Sequence, residues 1–407
     1  MGRRYEMKRM LILALSKVCY VSVYHFCERI QQNVQKEGWQ ADMLVFEKEE
    51  NANRYYPANG EMPDCTYDVI LEINTASHCI RESGISYETL GKEVWHLLLD
   101  HPMYHHEALV TMDQKFHIVC IDRKHAEYVR TYYPKIGSAH FLPLAADTFK
   151  EWIPYDKRKY PVLFTGSYMN SATFLHNAKQ CAGIDQPFFE QMVQKLLDRP
   201  MLTQSRAVWE CIRDRKADLT KQEQKEIENN LPSMLHTQYF FDMYIRCILR
   251  EEMLIQLLKS GIDVDVYGHN WELFIEYAKL VVPDGGKIHF HGDVFYDRLP
   301  EIYADSQIVL NILPWFKDGM HDRIPMGMNN GCVTVSDSCD YLEENLQDGE
   351  NILFYSIEQL EELPALIKEI QSDQKEAAKI AAKAYAYGNS HFTWKKYTKE
   401  LLHMIEK

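Results

Sequence analysis

The stretch "HDRIPMGMNNGCVTVSD", residues 321–337, sets a histidine, an aspartate and an arginine ahead of a glycine-bearing run and a short apolar segment. "GCVTVSD" has the length of a strand inside a sheet, turning polar at Ser336 and Asp337. A helix feeding a strand does not need a His-Asp-Arg triplet. Arg323 is therefore a candidate for chemistry, because its planar fork can grip two oxygens of a diphosphate as Lys cannot. The competing reading is a surface ion pair with Asp318 or Asp322. Three further places set glycine beside polar or aromatic residues just past an apolar run: "FTGSY" (164–168), "YGHNW" (267–271) and "HFHGDV" (289–294). Gly166 and Ser167 could turn backbone N–H groups and a hydroxyl toward a phosphate, unless "FTGSY" is a plain tight turn. The glycines of the other two allow a flat base to approach the backbone closely.

A fifth place is "LLLDHPMYHHE" (97–107). Asp100 and His101 are candidates for acceptor contact or general base, with His105 and His106 behind them. The alternative is a pair capping a helix that starts near Pro102. A histidine metal site is disfavoured, since no acidic or Cys ligand completes a recognisable spacing.

The elements that must position these residues alternate along the chain. Strand-length apolar runs stand at 10–15, 41–47, 68–74, 94–100, 116–122 and 139–145, with helical stretches between several of them. A polar, proline-bearing segment (147–161) follows, and a second series begins at 161–167 and continues at 263–268, 287–293, 306–312, 331–337 and 351–355. This spacing predicts two Rossmann-like halves in tandem, each a mostly parallel sheet with helices on its faces, and in such sheets ligands gather at strand C-termini. The domains are expected at 1–150 and 158–390, with residues 391–407 as a closing helix. A long helical insertion at about 172–238 interrupts the second half. Its segment 213–230 is highly charged, so the insertion is expected to be an appendage bordering the site and serving acceptor or partner binding. The helix at 239–261 should end on Gly261.

Composition limits the function classes. The chain of 407 residues is 46% hydrophobic and 26% charged, a soluble globular balance, and long enough for two domains. Its formal net charge of −14 argues against an extended nucleic-acid surface. Ten cysteines without a C-x-x-C pair argue against a disulfide framework and for a reducing compartment, so a cytoplasmic location is expected. The apolar run "MLILAL" is too short for a signal peptide and no run reaches a membrane span. "SKVCYV" (16–21) stands where a dinucleotide oxidoreductase would have G-x-G-x-x-G.

The order of motifs resembles a known family. "R-x-x-x-L-x-x-L-x-x-x-G-I-D-V-x-V-Y-G-x-x-W", then "F-H-G-x-V", "L-P-x-I-Y-A-D-S-Q-I-V-L-N-I" and "HDR…G-C-V-T-V-S-D" are similar to the CgeB-like, spore-maturation-type group 1 glycosyltransferases. "VWHLLLDHP" and "VCIDRKHAEYVRTYYP" resemble that family's first domain. The resemblance implies an α/β protein of GT-B architecture, two facing Rossmann-like domains with the helical insertion in the second. It implies a nucleotide-sugar donor, UDP- or another NDP-sugar, as co-substrate, no bound metal, and an acceptor that is a glycan, a protein or a small molecule. The donor-binding set it implies is Gly166, Ser167, Tyr168, Tyr267, Gly268, His291, Gly292, His321, Asp322, Arg323, Met326 and Gly327. The catalytic candidates, Asp100 and His101, are then expected to reach the anomeric carbon from the first domain. The family's loop usually reads Arg-x-Phe-Glu; here Pro325 and Met326 replace Phe and Glu, and Asp318 sits where many relatives carry the first acid of a pair. That substitution raises a second function class, a catalytically degenerate GT-B protein binding a glycan or partner, and a third is a different Rossmann-type enzyme.

Overall fold

The computed structural model describes residues 7–16, 21–49, 54–58, 66–81, 90–181, 183–312 and 314–407. The basic start before Met7 and residues 17–20 of "SKVCYV" lie outside the described residues.

The chain divides into two units. The first comprises Met1–Ala145, Phe295–Asp297 and Thr393–Lys407. Its sheet has the order β3-β2-β1-β4-β5-β6-β7, built from Arg9–Leu15 (β1), Gln40–Lys48 (β2), Tyr55–Pro57 (β3), Tyr67–Ile73 (β4), Gly91–Leu98 (β5), Phe116–Cys120 (β6) and Ser138–Phe141 (β7). Every pairing is parallel except β2 with β3. Met10 to Ala14 are at most 1% exposed, so β1 is covered on both faces, as a continuous apolar run in a parallel sheet requires. The run at 139–145 yields a strand only as far as Phe141, because Pro143 has no N–H to give the ladder. The helix Trp394–Ile405 closes this unit by packing on Ser22–Lys36, with the Trp394 and Phe26 rings 5.2 Å apart.

The second unit comprises Ala146–Val294 and Arg298–Phe392. Its sheet is parallel throughout, in the order β10-β9-β8-β11-β12-β13. The strands are Tyr160–Thr165 (β8), Val264–Tyr267 (β9), Ile288–Phe290 (β10), Ser306–Leu310 (β11), Val333–Asp337 (β12) and Leu353–Tyr355 (β13). Four helices, Ser171–Gln180, Gln186–Asp198, Gln204–Arg215 and Lys221–Thr237, fill the stretch between β8 and the long helix Phe240–Lys259. Gly261 terminates that helix at φ +76°, with its N–H on the Leu258 carbonyl and the Ile262 N–H on the Leu257 carbonyl. This is a Schellman close, which favours a residue free of a Cβ.

Candidate active site

Register places three glycines at one level of the second sheet. Thr165 pairs with Tyr267 and Val266 with Phe290, so Gly166, Gly268 and Gly292 follow side by side as the chain leaves β8, β9 and β10. All three have positive φ: 138°, 129° and 86°. A Cβ on Gly268 would stand 2.5 Å from the Gly166 carbonyl oxygen. Glycine is therefore required there for the two backbones to touch, and "FTGSY" is more than a local turn. The Gly166 N–H donates to Tyr267 O at 2.9 Å, and the Trp271 indole N–H donates to Gly166 O at 2.9 Å.

Two arginines converge on this turn. Arg323, at the start of the short helix Arg323–Asn329, is 6% exposed. Its Nε donates to Thr165 O at 2.6 Å and its Nη1 to Asn311 Oδ1 at 3.2 Å, while Asn311 is itself held by Ser336 at 2.8 Å. Nη2 is the atom that a Cβ on Gly166 would meet, at 2.8 Å. The surface ion-pair reading of Arg323 is thus overturned: the side chain runs inward. Asp322 instead takes His321, Nδ1 to Oδ1 at 2.6 Å, and Asp318 accepts the Tyr341 N–H at 3.0 Å. Arg250, from the middle of Phe240–Lys259, is 7% exposed and donates from Nη1 to Ser167 O at 2.7 Å. Both guanidinium groups lie against the Phe164 ring, with Cζ 4.8 Å (Arg323) and 5.5 Å (Arg250) from its centre.

Among the described residues neither arginine has a carboxylate within ion-pair distance; Glu251, next to Arg250, is taken by Tyr168 and Ser171. Burial pushes the Arg250 pKa down to about 10, and the neighbouring Arg323 charge adds to the fall. Burial also lowers Arg323. Both remain charged at neutral pH. The result is a small region of buried positive charge beside an open glycine turn, a setting made for an anion.

The remaining residues expected in the donor set divide in two. Ser167 lies at the turn and carries Arg250 on its carbonyl. Tyr267 and His291 stack at 5.0 Å, and the His291 ring is fixed by Asp265 at 2.6 Å, which leaves a flat aromatic edge beside Gly292. The His321 pKa is lowered first by burial and then by Arg323, against the pull of Asp322. By contrast, Tyr168 is 1% exposed and bonded to Glu251 at 2.8 Å, Met326 is 1% exposed with its sulfur 3.5 Å from Asn330 Nδ2, and Gly327 backs onto Thr334. These three residues pack.

In the first unit Asp100 is half-buried on the loop after β5. His101 is 3% exposed and its Nδ1 accepts the Met103 N–H at 3.1 Å, capping the 3-10 turn Pro102–His105. Its ring packs edge-on against His125 and Tyr128. His105 stands 3.1 Å from Thr75 Oγ1, and burial pushes it down to about 4 against the pull of Asp100. His106 Nδ1 meets Tyr133 Oη at 2.9 Å. Among the described residues no three His, Cys, Asp or Glu side chains converge as metal ligands.

Comparison with known proteins starts from the second unit. Residues 250–403, less than half of the chain, match the glycosyl transferase-like family. Sucrose-phosphate synthase from Thermosynechococcus elongatus superposes over 98% of both chains at 10% identity and a TM-score of 0.57. T4 phage β-glucosyltransferase, solved with its UDP-glucose substrate, gives 11% identity over 98% of this chain and 100% of that one, with a TM-score of 0.57. Anabaena HepE in complex with UDP-glucose gives 9% identity over 98% of this chain and 99% of that one, with a TM-score of 0.54. The fold is GT-B. Among curated proteins, none matches the chain in sequence. The family match and the GT-B fold together support a glycosyltransferase. Among the described residues no helix is long and apolar enough to cross a membrane.

The match begins at Arg250, which sequence reasoning quoted as the first letter of the motif but did not place in the site. Nothing in the residue pattern singles it out, because Asp242 and Arg246 share its helix face and Glu251 and Glu252 follow it.

Proposed function

We propose that this chain transfers a sugar from a nucleotide-diphosphate-sugar to an acceptor hydroxyl, with Arg250 and Arg323 holding the diphosphate. The observation that carries this reading is the pair of buried guanidinium groups that have no carboxylate partner among the described residues and lie at the Gly166–Ser167 turn. As the bond to the anomeric carbon breaks, the departing diphosphate gains negative charge. Donors already fixed in place stabilise that charge without reorganising. Arg323 is fixed by Thr165 and Asn311, and Arg250 by Ser167. Together they supply positive charge of the kind a divalent ion would otherwise bring, so transfer should survive a chelator. The stacked Tyr267 and His291 edge beside Gly292 is the place for the base. UDP as the nucleotide is supported by the UDP-glucose complexes of two GT-B neighbours. Membership of the CgeB-like group is supported by the motif order from Arg250 to Asp337. Asp100, half-exposed beyond β5, is the proposed acceptor-side base, and the scattered cysteines, with no C-x-x-C pair, support a reducing, cytoplasmic setting.

The test is thermal unfolding against a panel of nucleoside diphosphates. A ligand at a hundred times its Kd adds about 2.7 kcal/mol of stability. If no nucleoside diphosphate raises the midpoint, the reading fails. Met326 favours a second reading, since it leaves a buried thioether where the family usually has a carboxylate. A degenerate binder would show the nucleotide-dependent rise and no sugar release or transfer from the donor.

A further inference from the structure

The loop between β11 and the helix Arg323–Asn329 has no regular structure, yet it is buried: Trp315 is 5% exposed, Phe316 1%, Lys317 7% and Asp318 7%. A buried loop must find partners for its polar groups. One side finds them within the sheet domain, where Tyr341 N–H reaches Asp318 and Cys339 Sγ reaches Gly319 O at 3.3 Å. The other side finds them in the helical insertion. The Lys317 ammonium donates to the carbonyls of Pro200 and Pro314, and Pro200 belongs to the turn between the helices Gln186–Asp198 and Gln204–Arg215.

A second line of contacts runs parallel to the first. Gln204, 2% exposed, donates to Asp242 Oδ1 at 2.9 Å, and Asp242 Oδ2 accepts from Arg246 Nε at 2.7 Å. The Arg246 guanidinium lies 4.7 Å from the Trp315 ring centre, and Trp315 meets His321 edge-on at 5.8 Å. His321 precedes Arg323 by two residues. Both lines therefore start at the 200–204 turn and end on the loop that delivers Arg323.

From this continuity we infer that the insertion is a buttress for the donor site, and that Gln204 and Lys317 are positioning residues that set nucleotide affinity through the 314–322 loop. The inference rests on the donor reading above and goes beyond it. Four helices inserted after β8 serve the diphosphate side of the reaction, in place of the acceptor or partner role expected from their sequence. The arrangement suits the need it meets. An arginine that must hold its fork for a diphosphate gains from a loop with one permitted geometry.

The experiment measures UDP binding by calorimetry in the full chain and in the variants Lys317→Met and Gln204→Leu. Each variant is expected to weaken UDP about tenfold while retaining a cooperative unfolding transition, and Lys317→Arg to recover part of the loss. Folded variants that bind UDP as tightly as the unaltered chain overturn the inference. Where a variant does not fold, amide hydrogen exchange on the unaltered chain decides. UDP should slow exchange in both 314–322 and 200–204, and protection confined to 166–168 and 321–325 overturns the buttress. If the unaltered chain binds no UDP, the donor reading fails and the inference falls with it, an outcome distinct from equal binding by all variants.

Discussion

Replacing Arg250 by methionine should separate stability from binding. Burial pushes its pKa down to about 10, which corresponds to roughly 3 kcal/mol by which folding disfavours the charged guanidinium. The sign is fixed by linkage: the folded pKa lies below the unfolded one, so the full cost is present at every pH below about 10 and relief comes only above it. Methionine removes that cost, keeps a flexible chain against Phe164, and forfeits the bond to Ser167 O and the ring contact. Those losses are about 1–2 kcal/mol and about 0.5–1 kcal/mol, the first softened because Ser167 is only half-buried. The free protein should thus be as stable as before or more stable by about 1 kcal/mol, measured by urea unfolding. Diphosphate affinity should fall by roughly 1.5–3 kcal/mol, between about 10-fold and 150-fold, read with inorganic pyrophosphate and with UDP. An Arg250→Met protein destabilised by more than about 2 kcal/mol with unaltered pyrophosphate and UDP affinity would refute the clamp and make Arg250 a structural residue.

Four further outcomes are expected. Arg323→Ala should lose on the order of 1.5–3 kcal/mol of UDP binding, and Arg323→Lys should recover only part, since one ammonium cannot serve Thr165, Asn311 and a phosphate together; unchanged titrations would exclude the assignment. Gly268→Ala should cost roughly 1–3 kcal/mol from its backbone angle alone, more from the clash with Gly166 O, and should abolish the nucleotide-dependent rise in Tm. Gly292→Ala, with nothing within 4 Å of the added carbon, should be the milder of the two, and equal losses would count against close approach at Gly268. For His105, held near 4 in the folded chain, stability is full above about pH 6.5 and should decline by up to about 1.4 kcal/mol per pH unit as pH falls toward 4; His105→Asn should flatten that slope in urea midpoints. Asp100→Asn should lower turnover by about 10²-fold at unchanged UDP affinity, whereas His101→Ala should lower Tm through the lost cap, worth about 1 kcal/mol; full transfer by the Asn variant would remove Asp100 as base.

The fold was largely legible because a parallel sheet covered on both faces writes its strands as continuous apolar runs, and β1 and β8 are such runs. What escaped lies at the edge, where that code weakens. β3 is three residues long, half exposed, and ends on Pro57, so neither length nor alternation announced it. β7 stops short at Phe141 for the converse reason, an apolar run continued past the point where Pro143 can no longer pair.

The site was legible only in part, and the division has a physical cause. Gly166, Gly268 and Gly292 could be read because a positive φ and a close backbone contact leave glycine as the residue that fits, so the requirement is written into the residue type. Arg323 could be read because it interrupts the approach to a strand. Tyr168 and Met326 sit within three residues of these positions, yet their side chains are used by Glu251 and Asn330, and the Gly327 backbone packs against Thr334, none of which proximity in sequence reveals. Arg250 shows the opposite failure. On the helix Phe240–Lys259 it reads as one charged residue among several, Arg246, Arg250, Glu251 and Glu252, any of which could face solvent. What distinguishes it is a contact with Ser167, 83 residues away, and the lack of a carboxylate there, since Arg246 has Asp242 and Glu251 has Tyr168 and Ser171. A charge left uncompensated is a property of packing, because it depends on which neighbours are already taken. Two such charges on one phenylalanine, drawn from helices that follow different strands, repel each other in the free protein. A diphosphate bound between the arginines and the glycine turn, as proposed, would convert that repulsion into shared attraction.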